Sequence, residues 1–202
     1  MNSAELIMGK LAPLLKNGRP VVTAIDGRSA AGKSTTANNI ADLYGGTLII
    51  RMDDFFLPPE LRGPERYEQP GGNVHYERFL AEVAGNLRKP AAGYPQSLSY
   101  RVFDCAKMDY TANATFEITP DSLVVIEGAY SLRPELRDLY DFKIFMDISP
   151  QKQERRIKNR AGKRGEDGEA EYKMFAEKWI PLEERYIDMF GVIGCCDLII
   201  NN

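Results

Sequence analysis

The run Gly27-Arg28-Ser29-Ala30-Ala31-Gly32-Lys33-Ser34 constrains this chain more than any other segment. It fits the pattern G-x-x-x-x-G-K-[ST] and stands between an apolar stretch at 21–25 and a helix-compatible stretch at 35–43, the strand-loop-helix context of a phosphate-binding P-loop. Gly27 and Gly32 let the loop turn its backbone N–H groups inward around a polyphosphate, where side chains would obstruct. Lys33 reaches the β- and γ-phosphates as a point charge, Ser34 offers a hydroxyl to Mg²⁺, and the following helix adds its positive N-terminal end. Gly27, Ser29, Ala30, Ala31, Gly32, Lys33, Ser34 and Thr35 are therefore the expected nucleotide contacts, with ATP and Mg²⁺ as the cofactors.

A length of 202 residues suits one α/β domain with a substantial core. A net charge of −3 argues against a nucleic-acid-binding surface, which needs clustered positive charge. The N-terminal segment at 1–20 carries Leu6, Ile7, Leu11, Leu14 and Leu15 interrupted by Glu5, Lys10 and Lys16, so it reads as an amphipathic helix packed on the domain and not as a signal peptide. No run approaches the roughly 18 apolar residues of a membrane span. Cys195 and Cys196 are adjacent and poorly suited to bridging each other, and with Cys105 they point to a reducing, cytoplasmic compartment. Oligomeric state stays open, a homo-oligomer included.

Short β-rich runs at 21–26, 47–52, 123–127, 142–147 and 198–200 alternate with longer helical patterns, which implies a mostly parallel sheet of about five strands covered by helices. Between the second and third runs lies a long Pro-, Gly- and Tyr-rich region, 57–119, holding one helix over about 76–87. Its length and its aromatic and charged residues mark it as a substrate-facing insertion.

Arg51-Met52-Asp53-Asp54-Phe55-Phe56 falls at the C-terminal end of the second strand, where open α/β sheets place ligands. A carboxylate there can orient an acceptor hydroxyl and take its proton while lying near a metal; Asp53 and Asp54 could instead cap the next turn, with Phe55 and Phe56 filling core. Val124-Val125-Ile126-Glu127-Gly128 closes an apolar run on an acid beside the P-loop strand, the position of a metal-shell carboxylate or of a buried ion-pair partner. The segment 151–170 opens with Lys152, Arg155, Arg156, Lys158, Arg160, Lys163 and Arg164 against the single acid Glu154. It reads as a lid whose arginines stabilise transferring phosphoryl charge, or as a solvated helical face.

Together these motifs resemble the uridine kinase family and its relatives, the nicotinamide riboside, pantothenate and phosphoribulokinase-type kinases. The run Asp53-Asp54-Phe55-Phe56 looks especially like nicotinamide riboside kinases. The resemblance implies a P-loop three-layer α/β/α fold with a lid. It also implies a transfer of the γ-phosphoryl group of ATP to a hydroxyl of a small metabolite. It casts Asp53 as the base, Ser34, Asp53 and Glu127 as the Mg²⁺ shell, and Lys33, Arg156 and Arg164 as catalytic cations. Asn159 and Arg160 interrupt the family's usual Arg-Asp pair, and Glu166 stands where a further arginine is common.

On the acceptor side the resemblance points to Asp53, Phe56, His75, Phe103, Asp104 and Met108. Uridine kinases carry a Tyr-Asp-Phe run followed by a histidine that contacts the pyrimidine; here the stretch is Phe103-Asp104-Cys105, with Met108 at the histidine position. Methionine cannot supply that polar contact. Asn73-Val74-His75-Tyr76 lies where the family often places a ribose-binding aspartate, and it holds none. These departures leave a non-pyrimidine acceptor, such as nicotinamide riboside or pantothenate, as the alternative. A P-loop regulatory protein without kinase activity is the reading from a different class. The absence of Asn-Lys-x-Asp and of Leu-Ser-Gly-Gly-type runs favours a kinase over a guanine-specific switch or an ABC-type ATPase.

Overall fold

Every residue of β1 (Val21–Gly27) is buried, as the central strand of a sheet covered on both faces must be. The computed structural model describes residues 2–88 and 93–202; Met1 and residues 89–92, the latter inside the expected insertion, lie outside the described residues. After β1 come β2 (Thr47–Arg51), β3 (Gln96–Asp104), β4 (Asp109–Ile118), β5 (Leu123–Glu127), β6 (Phe142–Asp147) and β7 (Leu198–Asn201). Five of these form one parallel sheet in the order β2-β5-β1-β6-β7. They are the five apolar runs read from the sequence, and each is long enough to cross a buried layer.

The helices are α1 (Ser3–Leu11), α2 (Lys33–Leu43), α3 (Pro64–Glu68), α4 (Tyr76–Phe79), α5 (Gly85–Arg88), α6 (Pro150–Lys163), α7 (Gly168–Met174) and α8 (Ile180–Met189). A π-helical turn, Leu80–Ala84, joins α4 to α5, and another, Phe175–Trp179, joins α7 to α8. Alternate residues of the strands face two separate cores. On one face Val21, Ile25, Val125, Ile144 and Ile200 pack with Ala4, Ile7 and Leu11 of α1 and Ala37 and Ile40 of α2. On the other Val22, Ala24, Ile50, Val124, Ile126 and Phe145 pack with Phe55, Phe79, Val83, Tyr186 and Ile187. The result is a three-layer α/β/α sandwich.

The N-terminal helix is the expected amphipathic element, begun by a capping box in which Asn2 and Glu5 bond each other's backbone. The insertion is more ordered than its composition suggested. Its helix covers 76–88, and it adds the antiparallel hairpin β3–β4, which the sequence reading did not contain. The signal was present: Leu98 and Tyr100 are buried while Ser97, Ser99 and Arg101 are exposed, a period of two. Tyr100 meets Phe55 at 4.9 Å between ring centroids and Phe55 meets Phe79 at 4.9 Å, so the hairpin is moored beside the Asp53 turn. Among the described residues no helix is long and apolar enough to cross a membrane, and the three cysteines are free.

Candidate active site

The P-loop begins where β1 presses against β6. Gly27 has φ 145°, and a Cβ there would lie 2.1 Å from the Met146 carbonyl oxygen, so only glycine fits. Gly32, at φ 99°, turns the chain into α2, which starts at Lys33. The root of the loop is held by Asp26, a buried carboxylate that accepts from the backbone N–H groups of Gly27 (2.7 Å), Tyr130 (3.2 Å) and Leu132 (2.9 Å) and from the Tyr186 hydroxyl (2.8 Å). Burial pushes its pKa up against those bonds.

Two neighbouring acids of α8 hold the outer side. Glu184 receives Nε and Nη2 of Arg28 at 2.6 and 2.8 Å, and Asp147 receives Nη1 at 2.5 Å. Glu183, buried, accepts the Ser29 N–H at 2.9 Å and the Ser29 hydroxyl. From α6, Gln153 and Arg156 donate to the carbonyls of Ser29 and Ala30, both at 3.1 Å, and Asn202 donates to that of Ala31 at 2.7 Å. Lys33 Nζ bonds the Gly27 and Arg28 carbonyls at 2.7 and 3.0 Å.

Glu127 ends β5, in register with Ile25 of β1 on one side and Arg51 of β2 on the other. It is 4% exposed, accepts the Ser34 hydroxyl at 3.2 Å and faces Arg51 Nε at 3.7 Å. Burial and then the nearby Asp53 push its pKa up. Asp53 leaves β2 in a 3₁₀ turn, Met52–Phe55. Its side chain is open to the cavity yet crowded by its walls, which raises its pKa; Lys33, Arg160 and Arg51 act in the opposite sense. Its neighbour Asp54 is engaged instead, its Oδ2 taking the Tyr100 hydroxyl at 3.0 Å.

Asp53, Glu127 and residues 29–36 line one cavity of about 970 Å³ with Phe56, Arg62, Tyr67, Asn73, Cys105, Met108 and Tyr130 on the insertion side. Arg156, Arg160, Met174, Phe175, Trp179 and Glu183 complete it from the helices that follow β6. The structure thus brings together Ser29 to Thr35, Asp53, Phe56, Met108, Glu127 and Arg156 of the sequence candidates. Gly27 sits behind the lining at the root of the loop, its carbonyl on Lys33 Nζ, and the remaining candidates do not line the cavity. Phe103 is buried against Tyr110 at 5.7 Å, and Asp104 bonds the N–H groups of Ala106 and Lys107 to close the hairpin turn. His75 is tied by its backbone N–H to the Phe55 carbonyl at 2.7 Å, its pKa lowered chiefly by burial. Arg164 does not line the cavity itself; it pairs with Glu166 and with Glu171, which does.

Asp26, Glu183, Arg62 and the aromatics of the 175–179 turn were not singled out in the sequence, and Arg160 was named only within the basic segment. Asp26 carried a signal, as an acid closing an apolar strand just before the loop. Glu183 carried none, because its partner Ser29 lies 154 residues away. Among the described residues no group of three or more His, Cys, Asp or Glu side chains could hold a metal ion alone. Ser34 with Glu127 and Asp53 nevertheless fits Mg²⁺, which takes one or two carboxylates and completes its shell with water and phosphate. The two crowded, pKa-raised acids are the donors a hard cation would relieve.

A P-loop at the end of the central strand of a five-stranded parallel sheet defines the P-loop NTPase class of α/β/α fold. No family model matches the chain. A uridine kinase of Lactiplantibacillus plantarum is 30% identical over 140 residues, covering 65% of this chain and 63% of that protein. The chain thus spans a little under two thirds of that relative's length. Among solved structures, a possible uridine kinase from Bacillus stearothermophilus superposes with a TM-score of 0.71 at 18% identity, over 98% of this chain and 96% of that one. A D-glycerate 3-kinase from Cryptococcus neoformans var. grubii gives 0.65 at 12% identity, over 91% and 88%. The chain resembles the uridine kinase-like P-loop kinases, in sequence through the first comparison and in fold through the other two.

Proposed function

We propose that the chain is a single-domain kinase, dependent on ATP and Mg²⁺, that transfers the γ-phosphoryl group to a hydroxyl of a small metabolite. The observation that carries this reading is the sharing of one cavity by the P-loop, Glu127 and a cavity-facing Asp53. Lys33 exchanges its bonds to the Gly27 and Arg28 carbonyls for phosphate oxygens, and residues 29–35 wrap the polyphosphate. Ser34, Glu127 and Asp53 would hold Mg²⁺, which would neutralise charge on the transferring phosphate. Asp53 takes the proton of the acceptor hydroxyl. Arg156 and Arg160 reach the cavity from α6 and stabilise the spreading charge of the transferring group. Segment 151–170 acts as a lid, hinged where α6 passes into α7, and 57–119 shapes the acceptor pocket.

Cys105 and Met108 in that pocket support an acceptor other than a pyrimidine nucleoside, since neither side chain can select a polar base edge. ADP release from MgATP is expected to depend on an added hydroxyl acceptor, and Lys33→Ala is expected to abolish it while the far-UV circular dichroism is retained. Near wild-type turnover in Lys33→Ala would overturn the P-loop assignment. MgATP binding with no acceptor-dependent release across nucleosides, pantothenate, nicotinamide riboside and sugar phosphates would favour a regulatory nucleotide-binding protein.

A further inference from the structure

Arg62 is a cation in the cavity wall that phosphoryl transfer leaves unused. It follows the turn Pro59–Leu61 and lines the cavity. Among the described residues it pairs with no carboxylate. Nε donates to the Leu57 carbonyl at 2.7 Å, one Nη touches Met108 Sδ at 3.8 Å, and the guanidinium lies 6.0 Å from the Phe103 ring centroid. The neighbouring arginines of the insertion are occupied: Arg66 pairs with Glu77, and Arg78 and Arg101 both pair with Glu82. A guanidinium has five N–H donors in a planar fork, so most of Arg62's capacity faces the cavity. Such a fork matches a carboxylate or phosphate and gains little from a neutral ligand.

Arg62 and Asp53 line the same cavity, and Arg62 reaches it beside Met108 of the hairpin turn. Tyr67 and Asn73 line the cavity too, and Lys178 lies against two lining rings, 5.0 Å from that of Tyr67 and 4.6 Å from that of Trp179. Arg62 is thus a cation of the cavity wall with no carboxylate partner among the described residues.

We propose that the acceptor carries an anionic group, a carboxylate or a phosphate, besides its reacting hydroxyl, and that Arg62 selects it. This rests on the kinase reading above and names the class of its substrate. The test uses matched acceptors that differ in that charge: pantothenate against panthenol and glycerate against glycerol for the carboxylate arm, ribulose 5-phosphate against ribulose for the phosphate arm. With saturating MgATP, kcat/KM for the charged member of at least one pair is expected to exceed that of its neutral partner by tenfold or more. Arg62→Ala should cut that ratio by about tenfold to a hundredfold, mainly through KM for the charged member, as loss of charge-assisted hydrogen bonds requires. Arg62→Lys should keep part of the preference. Arg62→Gln, which can still donate to the Leu57 carbonyl, separates loss of charge from loss of the turn, and KM for ATP with the thermal midpoint reports whether each variant is folded. Neutral acceptors used as well as charged ones, or an unchanged ratio in folded Arg62→Ala and Arg62→Gln, would overturn the inference and leave the kinase reading standing. Transfer to no acceptor by a protein that binds MgATP would overturn both.

Discussion

Asp26→Asn isolates the bond network at the root of the P-loop with almost no change of shape. Oδ1 accepts from Gly27 and Tyr130, and Oδ2 from Leu132 and Tyr186. The asparagine oxygen can serve one of these pairs. Serving Gly27 and Tyr130 is preferred, because the amide nitrogen then meets the Tyr186 hydroxyl, which can rotate to accept, and only the Leu132 N–H is left facing a donor. One orphaned buried N–H costs about 1–3 kcal/mol, and the surviving bonds lose their charge assistance. The neutral amide recovers some of this because a carboxylate is costly to bury. The balance is a loss of about 2 kcal/mol. Asp26→Ala orphans three backbone N–H groups and should cost about 3 kcal/mol or more, while Tyr186→Phe, losing one bond, should cost about 1 kcal/mol. Urea unfolding measures each, with the slope unchanged if only stability has moved. Asp26→Asn and Tyr186→Phe share a partner, so their double variant should be non-additive. An Asp26→Asn protein within about 0.5 kcal/mol of wild type, the range of surface substitutions, would refute the claim that this carboxylate holds β1, the segment after β5 and α8 together.

Asp53→Asn should lower kcat by on the order of a hundredfold or more with ATP still bound, the range for loss of a general base; Asp54→Asn, whose carboxylate is engaged by Tyr100, should do less, and the reverse ranking would move the base to Asp54. Uridine should be a poor acceptor, with kcat/KM below about 10⁴ M⁻¹s⁻¹, the lower end of efficient enzymes. Met108→His should improve it, and Met108's φ of 56° is one that histidine tolerates better than most residues; a higher wild-type value would restore uridine as the substrate.

The sheet and the P-loop were legible in the sequence because each is a local pattern: continuous apolar runs for strands buried on both faces, and glycines at fixed offsets for the loop. The β3–β4 hairpin was hidden by the prolines, glycines and tyrosines around it, although Leu98 and Tyr100 alternate with polar residues as a half-buried strand requires. Asp26 and Glu183 acquire meaning only through partners 104 to 160 residues away. Asp104 and Arg164, by contrast, find partners a few residues off, the Ala106 N–H for one and Glu166 for the other, and neither lines the cavity.

The topology explains why the phosphate and acceptor ends of the cavity differ in how readable they are. β1, β5 and β2 are parallel neighbours, so the P-loop, Glu127 and Asp53 all emerge at one edge of the sheet whatever the chain does between them. Parallel neighbours need a crossover in any case, and the one between β2 and β5 is the whole insertion with its helix and hairpin. Phosphate-end residues are therefore fixed by strand register and survive as short motifs. Arg62, Asn73, Cys105 and Met108 are fixed only by how that crossover folds back on the strand ends. A change of acceptor can be made there without moving Asp53 or Lys33, so a chain of this fold can keep the chemistry of phosphoryl transfer while replacing a neutral-base pocket by one with an unpaired guanidinium.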